Sequence, residues 1–407
     1  MARAAEAGRK APDVRSDCWV RIVPAESGGI DLAIKSKVES MYGESLRTSI
    51  LEGCERLKIR NAAVQLEDAG ALPFVLMARL ETAARRAYEG KIGAGWLPET
   101  QPGSRARTTR ERFRRSRLYL PGNEPKFLLN AGLHRPDGVI LDLEDSVAPA
   151  EKDAARILVR NALRVIDFGD AERMVRINPL PLGLDDLEAV VPENVHVILI
   201  PKCESAETLR EVDAKVRSIL GANGARVFLM PIVETALGIL RAQEIAAASP
   251  NVIALTIGLE DYTADIGAQR TAEGRESFFA RSMIVAAARA AGVAPIDTVF
   301  SDVADEAGLL ASVLEAKGLG FEGKGCIHPN QIRVIHEGFA PTADEIAKAT
   351  RIVRAFEDAQ ARGLGVVSLG SKMIDPPVVK RALRTVDLAI RSGQMEEGWR
   401  GGDDAKA

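Results

Sequence analysis

Cysteine, histidine and aromatic residues are scarce in this chain. It has four cysteines and four histidines in 407 residues. They form no CxxC pair and no HxH or HExxH arrangement, which argues against a zinc site, a disulfide framework and a zinc hydrolase. Cys18, Cys54, Cys203 and Cys326 read as reduced, buried thiols. Aromatic residues make up 4% of the chain, too few for platforms that stack bases. A formal net charge of −3 gives no electrostatic reason to expect nucleic acid or an anionic membrane as partner. No apolar run approaches the roughly 18 residues needed to span a bilayer, and residues 1–15 lack the apolar centre of a signal peptide. The expected location is cytoplasmic. Any metal site must be built from carboxylates.

What the chain does have is repetition. Eight times between residues 116 and 329, a short apolar, β-branched run stops at a polar or charged residue and a helical stretch follows. The runs are 117–121, 138–145, 174–178, 196–202, 227–234, 252–261, 296–302 and 323–328. This alternation predicts a parallel sheet, and eight units in this length fit an α/β fold closed as a (β/α)8 barrel. In such a barrel the strands' carboxyl ends face the active site. Those ends carry Asp142, Glu144, Asp145, Arg176, Lys202, Glu234, Glu260, Asp261, Asp302 and His328. About half of these positions are accounted for simply by buried strands reaching the surface.

The remaining sequence predicts further parts. Residues 16–89 read as a small α+β domain of ββαββα order, with strands at 18–24, 30–34, 62–67 and 72–79 and helices at 36–57 and 80–88. Residues 90–114, rich in Gly, Pro, Thr and Arg, read as a flexible linker that lets this domain move relative to the barrel. The barrel is expected over 115–340. A helical extension over 341–395 follows, with helices at 342–362 and 377–391 around a Gly/Ser loop at 363–372.

Glu234 and Asp261 end neighbouring runs and can converge on one ion. Two carboxylates with positions left for water and substrate oxygens suit Mg²⁺, while a purely structural acidic pair is the alternative. Arg176 can present its planar fork to a carboxylate or enolate oxygen, or pair with the acidic turn at 142–145, and both can hold at once. Pro121 and Gly122 lead into a helix start, a place for phosphate or only a turn. Asp375, before Pro376 and Pro377, can close over a site or cap a helix.

The motifs RSRLYLPGNEP, VILDLEDSV with EKDAAR, VRINP, PIVETALGI, GLEDYTADIG, DTVFSD, GFEGKGCIHPNQI and LGVVSLGSKMIDPPVV occur in this order over about residues 115–391. Together they resemble the citrate lyase β-subunit branch of the HpcH/HpaI aldolase superfamily, which includes citryl-CoA, malyl-CoA and citramalyl-CoA lyases. The resemblance implies that Glu234 and Asp261 ligate Mg²⁺, with Mn²⁺ as a substitute, and that Arg176 is the catalytic arginine. Asp375 is then the acid/base, supplied by a neighbouring subunit of a homotrimer or homohexamer. Glu144 joins the catalytic group through the acidic turn, and Arg117 lies near the CoA moiety. Pro121, Gly122, Asp145 and Lys202 belong to the surface that binds the CoA thioester.

The small domain, through SDCWVRIVP and LEDAGALPFVLMARLETAARRA, resembles the acyl carrier γ-subunit of citrate lyase. That family reads Ser-Ser-Asp where this chain has Arg15-Ser16-Asp17, and the first serine carries a phosphoribosyl-dephospho-CoA arm. Arg15 cannot carry it, so either Ser16 is the attachment site or the barrel uses free CoA esters. The expected reaction is reverse Claisen cleavage of citryl-CoA or a citryl carrier to oxaloacetate and an acetyl thioester, with a citrate lyase α-type subunit as a partner. Alternatives are a malyl-CoA or citramalyl-CoA lyase, a malyl-CoA thioesterase or malate synthase-like enzyme, a metal-dependent phosphoenolpyruvate or oxaloacetate enzyme, and a non-catalytic carrier or scaffold subunit.

Overall fold

The computed structural model describes residues 3–93, 95–102, 107–221, 226–363, 367–369 and 372–401. The small domain contains β1 (Ala5–Gly8), β2 (Cys18–Pro24), β3 (Ile30–Ser36), α1 (Glu39–Arg56), β4 (Ala62–Asp68) and α2 (Pro73–Ala87). Its sheet has the order β1-β2-β4-β3. Side chains on β4 alternate between buried and less buried positions, as a sheet with one covered face requires.

The domain is α+β but not ββαββα. The segment 72–79, expected as a strand, is the first half of α2, and β1 is an additional strand. Every residue from Phe74 to Ala84 is buried, so the helical period is erased and an apolar run remains that reads equally well as a strand. Pro73 at the first helical turn marks the true start. β1, Ala-Glu-Ala-Gly, has no β-branched residue to announce it.

Eight parallel strands then close into a barrel: β5 (Ser116–Pro121), β6 (Gly138–Asp142), β7 (Glu172–Arg176), β8 (Val197–Ile200), β9 (Phe228–Val233), β10 (Ala254–Ile257), β11 (Ala294–Asp297) and β12 (Gly323–Cys326). β12 pairs with β5, Gly325 opposite Arg117, and this completes the closure. Between and after them run α3 (Pro125–Leu128), α4 (Lys152–Val165), α5 (Leu182–Val190), α6 (Ala206–Leu220), α7 (Ala236–Leu240), α8 (Ala242–Ala246), α9 (Leu259–Asp265), α10 (Arg275–Ala291), α11 (Glu306–Leu319) and α12 (Asn330–Phe339). Ile140, Met174, Val197, Leu199, Phe228, Met230 and Ile296 pack the barrel interior. This is the arrangement in which loops after the strands build a site on one face.

The small domain is not on a free tether. Helix α2 lies against α4, and Arg160 of α4 donates to both oxygens of the buried Glu81 at 3.1 and 2.8 Å. Asn161 Nδ2 donates to Phe74 O at 3.1 Å, and Arg86 pairs with Asp153 at 2.6 Å. The 90–114 segment, expected to be flexible, is anchored at several of its described residues. Trp96 is buried in the small-domain core, Gln101 N–H donates to Arg164 O at 2.9 Å, and Arg114 pairs with Glu172 at 2.7 Å. Residues 94 and 103–106 of the expected linker lie outside the described residues.

Residues Met1–Ile332 form one compact unit and Arg333–Ala407 another. The second contains α13 (Ala343–Ala361), the antiparallel pair β13 (Val367–Leu369) and β14 (Lys372–Ile374), and α14 (Pro376–Arg391). Ala349 and Val353 of α13 pack with Ala382 and Val386 of α14. A Thr342–Glu345 capping box opens α13. Of the loop expected at 363–372, residues 364–366 and 370–371 lie outside the described residues.

Candidate active site

A cavity of about 470 Å³ opens at the carboxyl ends of the barrel strands. Arg176, the last residue of β7, is its best-held side chain. Its Nε and Nη2 donate to Asp142 Oδ1 and Oδ2 at 2.6 and 2.7 Å, the bidentate geometry a guanidinium favours. Nη1 lies 2.8 Å from Glu144 Oε2, an ion pair without hydrogen-bond alignment, and 3.5 Å from Asp145 Oδ2. Burial opposes charge on Asp142, but the hydrogen bonds and charge of Arg176 outweigh it and hold the carboxyl below its usual range. The pairing of Arg176 with the acidic turn is therefore real, and it aims the guanidinium along the cavity wall.

Glu234 follows β9 directly and is only 4% exposed. Its Oε1 accepts one strong hydrogen bond, from Lys202 N–H at 2.7 Å. Burial, reinforced by the charges of Asp261 and Glu144, pushes its carboxyl up to about 8. A Cβ at position 258 would sit 2.3 Å from Glu234 Oε2, so only glycine permits this approach. Asp261 does not end a strand as expected. β10 stops at Ile257, and Asp261 lies in the first turn of α9. Lys202, two residues past β8, adopts a left-handed φ of +48° and places its Nζ 3.0 Å from Glu144 Oε1, 3.8 Å from Asp145 Oδ1 and 4.0 Å from Asp261 Oδ2.

No group of three or more His, Cys, Asp and Glu able to hold a metal occurs among the described residues. The pair Glu234 and Asp261 nevertheless fits a hard divalent cation. Both are oxygen donors, one is buried and short of positive partners, and the adjoining cavity has room for water and substrate oxygens.

Other expected site residues fall differently. Arg117, expected near the CoA moiety, is wholly buried on the cavity floor, because it lies early in β5 with its side chain inside the barrel. It donates to Thr256 Oγ1 at 3.2 Å and Asp297 O at 3.3 Å, and burial lowers its pKa. Pro121 lines the cavity. Gly122 meets a backbone demand: its N–H donates to Asp142 O at 2.8 Å, and a Cβ there would come within 2.6 Å of that oxygen. Asp375 lies in the second unit, where Oδ1 accepts from Val378 N–H at 3.1 Å and caps α14.

Ser16 has a left-handed φ of +56°. The next residue, Asp17, is gripped by the buried Arg79 at 2.9 and 3.0 Å, and the same guanidinium donates to Asn123 O at 3.0 Å in the loop after β5. The carrier-like turn is thereby fixed beside the barrel mouth. Sequence reasoning missed Gly258 and Arg79; for Arg176 it offered the acidic turn 142–145, within which Asp142 is the principal partner. The glycine before Leu-Glu-Asp was the available signal for the first, and nothing local marked the second.

Comparison with known proteins agrees with this architecture. Residues 115–329 match the HpcH/HpaI aldolase/citrate lyase family, and the chain belongs to it. Membership makes it a lyase of that family. Residues 14–87 match the malonate decarboxylase delta subunit (MdcD) family, so the small domain is acyl carrier-like. The chain is 40% identical to the citrate lyase subunit beta of Leuconostoc mesenteroides subsp. cremoris over 69% of this chain and 94% of that one. It is 37% identical to the mitochondrial citramalyl-CoA lyase of Rattus norvegicus over 79% of this chain and 95% of that one. Among solved structures, the CitE protein of Mycobacterium tuberculosis in complex with magnesium, acetoacetate and coenzyme A is similar. Its TM-score is 0.58, with 31% identity over 69% of this chain and 99% of that one. No helix among the described residues is long and apolar enough to cross a membrane.

Proposed function

We propose that the chain is a Mg²⁺-dependent carbon–carbon lyase that cleaves citryl-CoA, or a citryl group on a carrier, to oxaloacetate and an acetyl thioester. The observation that carries this reading is Glu234, a buried carboxylate with its pKa driven upward, beside Asp261 and across a cavity from a fixed arginine. Mn²⁺ is the substitute ion. The CitE protein crystallised with magnesium and coenzyme A supports the cofactor and the thioester class.

In reverse Claisen cleavage a hydroxyl loses its proton, the adjacent carbon–carbon bond breaks, and the departing thioester enolate takes up a proton. Magnesium held by Glu234 and Asp261 would lower the hydroxyl pKa and neutralise the carboxylate beside it. Arg176, immobilised by Asp142, faces the oxygen on which charge develops and stabilises it without reorganising. Glu144 keeps that guanidinium and Lys202 in register. Asp375 of a neighbouring subunit supplies the acid/base in a homotrimer or homohexamer, and an α-type transferase subunit is the natural partner of a carrier-dependent form. Ser16 is the candidate point of attachment for a phosphoribosyl-dephospho-CoA arm. Domain limits of 16–89, 115–340 and 341–395 belong to the same reading.

The carrier-like domain favours citryl over malyl or citramalyl substrates. Assay of citryl-, citramalyl- and malyl-CoA with Mg²⁺ and with EDTA tests this. Oxaloacetate release from citryl-CoA, lost in EDTA, is expected. Cleavage of citramalyl- or malyl-CoA alone would reassign the substrate, and full activity in EDTA would reject the metal. Intact mass of protein from its native host decides whether Ser16 is modified.

A further inference from the structure

Lys202 links four of the acidic residues at the cavity mouth, Glu234, Glu144, Asp145 and Asp261. Two residues beyond β8, it holds a φ of +48°, a conformation that costs a non-glycine residue about 1 kcal/mol. This twist turns the backbone N–H onto Glu234 Oε1 at 2.7 Å while the side chain leaves in another direction. There the ammonium reaches Glu144 Oε1 at 3.0 Å, Asp145 Oδ1 at 3.8 Å and Asp261 Oδ2 at 4.0 Å. A glycine would adopt the same backbone without strain and keep the hydrogen bond to Glu234. The strain is therefore retained together with a charge, not for the turn alone.

The charges around the cavity explain what that ammonium does. Asp142 is matched by Arg176, Glu144 and Asp145 lie near both Arg176 and the Lys202 ammonium, Asp261 lies near the ammonium, and Glu234 takes only the Lys202 backbone N–H. Resting on the proposed function above, we infer that Lys202 is a positioning residue and built-in counter-cation. It stands beside Asp261 and lowers the affinity of the site for a divalent ion, so that the ion is held together with an anionic keto acid rather than tightly by the protein alone. When an ion engages Asp261, the ammonium keeps its shorter contact with Glu144, the carboxylate that also borders Arg176. Two ligand carboxylates and an adjacent ammonium form a weak site until a substrate carboxylate contributes oxygens.

The test is calorimetric titration of Mn²⁺ into the metal-free, full-length protein, with oxaloacetate absent and then present. Lys202→Gly is expected to bind Mn²⁺ alone about threefold to tenfold more tightly, a range set by a charge at 4 Å that is partly screened by solvent. It should also lose affinity for oxaloacetate in the presence of Mn²⁺. Lys202→Asn, which tolerates the left-handed backbone, should behave in the same way, and Lys202→Arg should stay near wild type. Melting temperatures of the Gly and Asn variants at or above wild type would separate a charge effect from loss of fold. Unchanged or weaker Mn²⁺ binding by both folded variants overturns the inference and leaves the proposed metal site standing. Wild-type protein that binds no Mn²⁺, or Glu234→Gln protein that binds it as wild type does, overturns the metal site and this inference with it.

Discussion

Glu81 and Glu234 are both buried, 0% and 4% exposed, yet the protein treats them in opposite ways. Glu81, in the seam between α2 and α4, receives both arms of Arg160, an ion pair from Arg85 at 2.8 Å and the Trp96 N–H at 3.0 Å. Burial opposes its charge, but these partners outweigh burial and hold its pKa below the usual value. Glu234 has one backbone donor and two acidic neighbours, and its pKa rises to about 8. A carboxylate with complete partners is structural. Glu234, buried with incomplete partners, is the candidate to receive a cation in the proposed function.

The sharpest way to break the contrast is at its functional pole. Glu234→Gln keeps the shape and the hydrogen bond from Lys202 but removes the charge. Cleavage of the thioester should fall by about a thousandfold or more, the scale of losing metal assistance, with the melting temperature retained. Appreciable turnover in this variant would return Glu234 to a structural role.

Arg176→Lys should lower kcat by about a hundredfold, because an ammonium cannot reproduce the fork that Asp142 now holds. A change confined to KM would make Arg176 a substrate-binding residue. Asp375 offers a related test. Mixing inactive Asp375→Asn and Glu234→Gln proteins under verified subunit exchange should restore part of the activity, since some shared sites would receive both intact residues. No recovery would leave Asp375 acting within its own subunit or only capping α14.

At the structural pole, Glu81→Ala should cost about 3 kcal/mol in denaturant unfolding, since it strands the Arg160 guanidinium in the seam, while Mn²⁺ affinity stays unchanged. A loss below about 1 kcal/mol would mean that the small domain is not held by this network. A last test is the pH dependence of the metal-free protein. Glu234 is raised to about 8 when folded, against about 4.3 in an unfolded chain, so between these values the native state binds the extra proton. Its contribution to stability is full below that window and is lost as pH rises through about 8. Thermal unfolding of wild type should show this decline, and Glu234→Gln should flatten it.

The barrel was readable because most strands are short apolar runs with a polar or charged residue at or just beyond their end, a pattern that survives burial on both faces. Ends were read less well. Gly258-Leu259-Glu260-Asp261 continues the apolar run of β10 without a break, yet the chain turns into α9 at Leu259. α2 was misread because a helix covered on nearly all sides loses its period. Of the candidate site residues, Arg176, Asp145, Glu234 and Asp261 line one cavity, Glu144 and Lys202 join them through ion pairs, and Arg117 lies on the floor through the inward alternation of β5. The seam left no local trace: Arg79 meets Asp17 across 62 positions and Arg160 meets Glu81 across 79, and in sequence Arg79 ends an expected strand while Arg160 is an ordinary charged residue on a helix.

By itself the sequence determined the eight-fold strand–helix repeat, the restriction of metal chemistry to carboxylates, and the set of charged residues delivered to the strand ends. All three follow from residue type and local spacing. Tertiary structure alone decided which of those charges are neutralised. A carboxylate's pKa and affinity for a cation depend on burial and on partners within a few ångströms, and here the chain draws those partners from distant segments to leave Glu81 satisfied and Glu234 not.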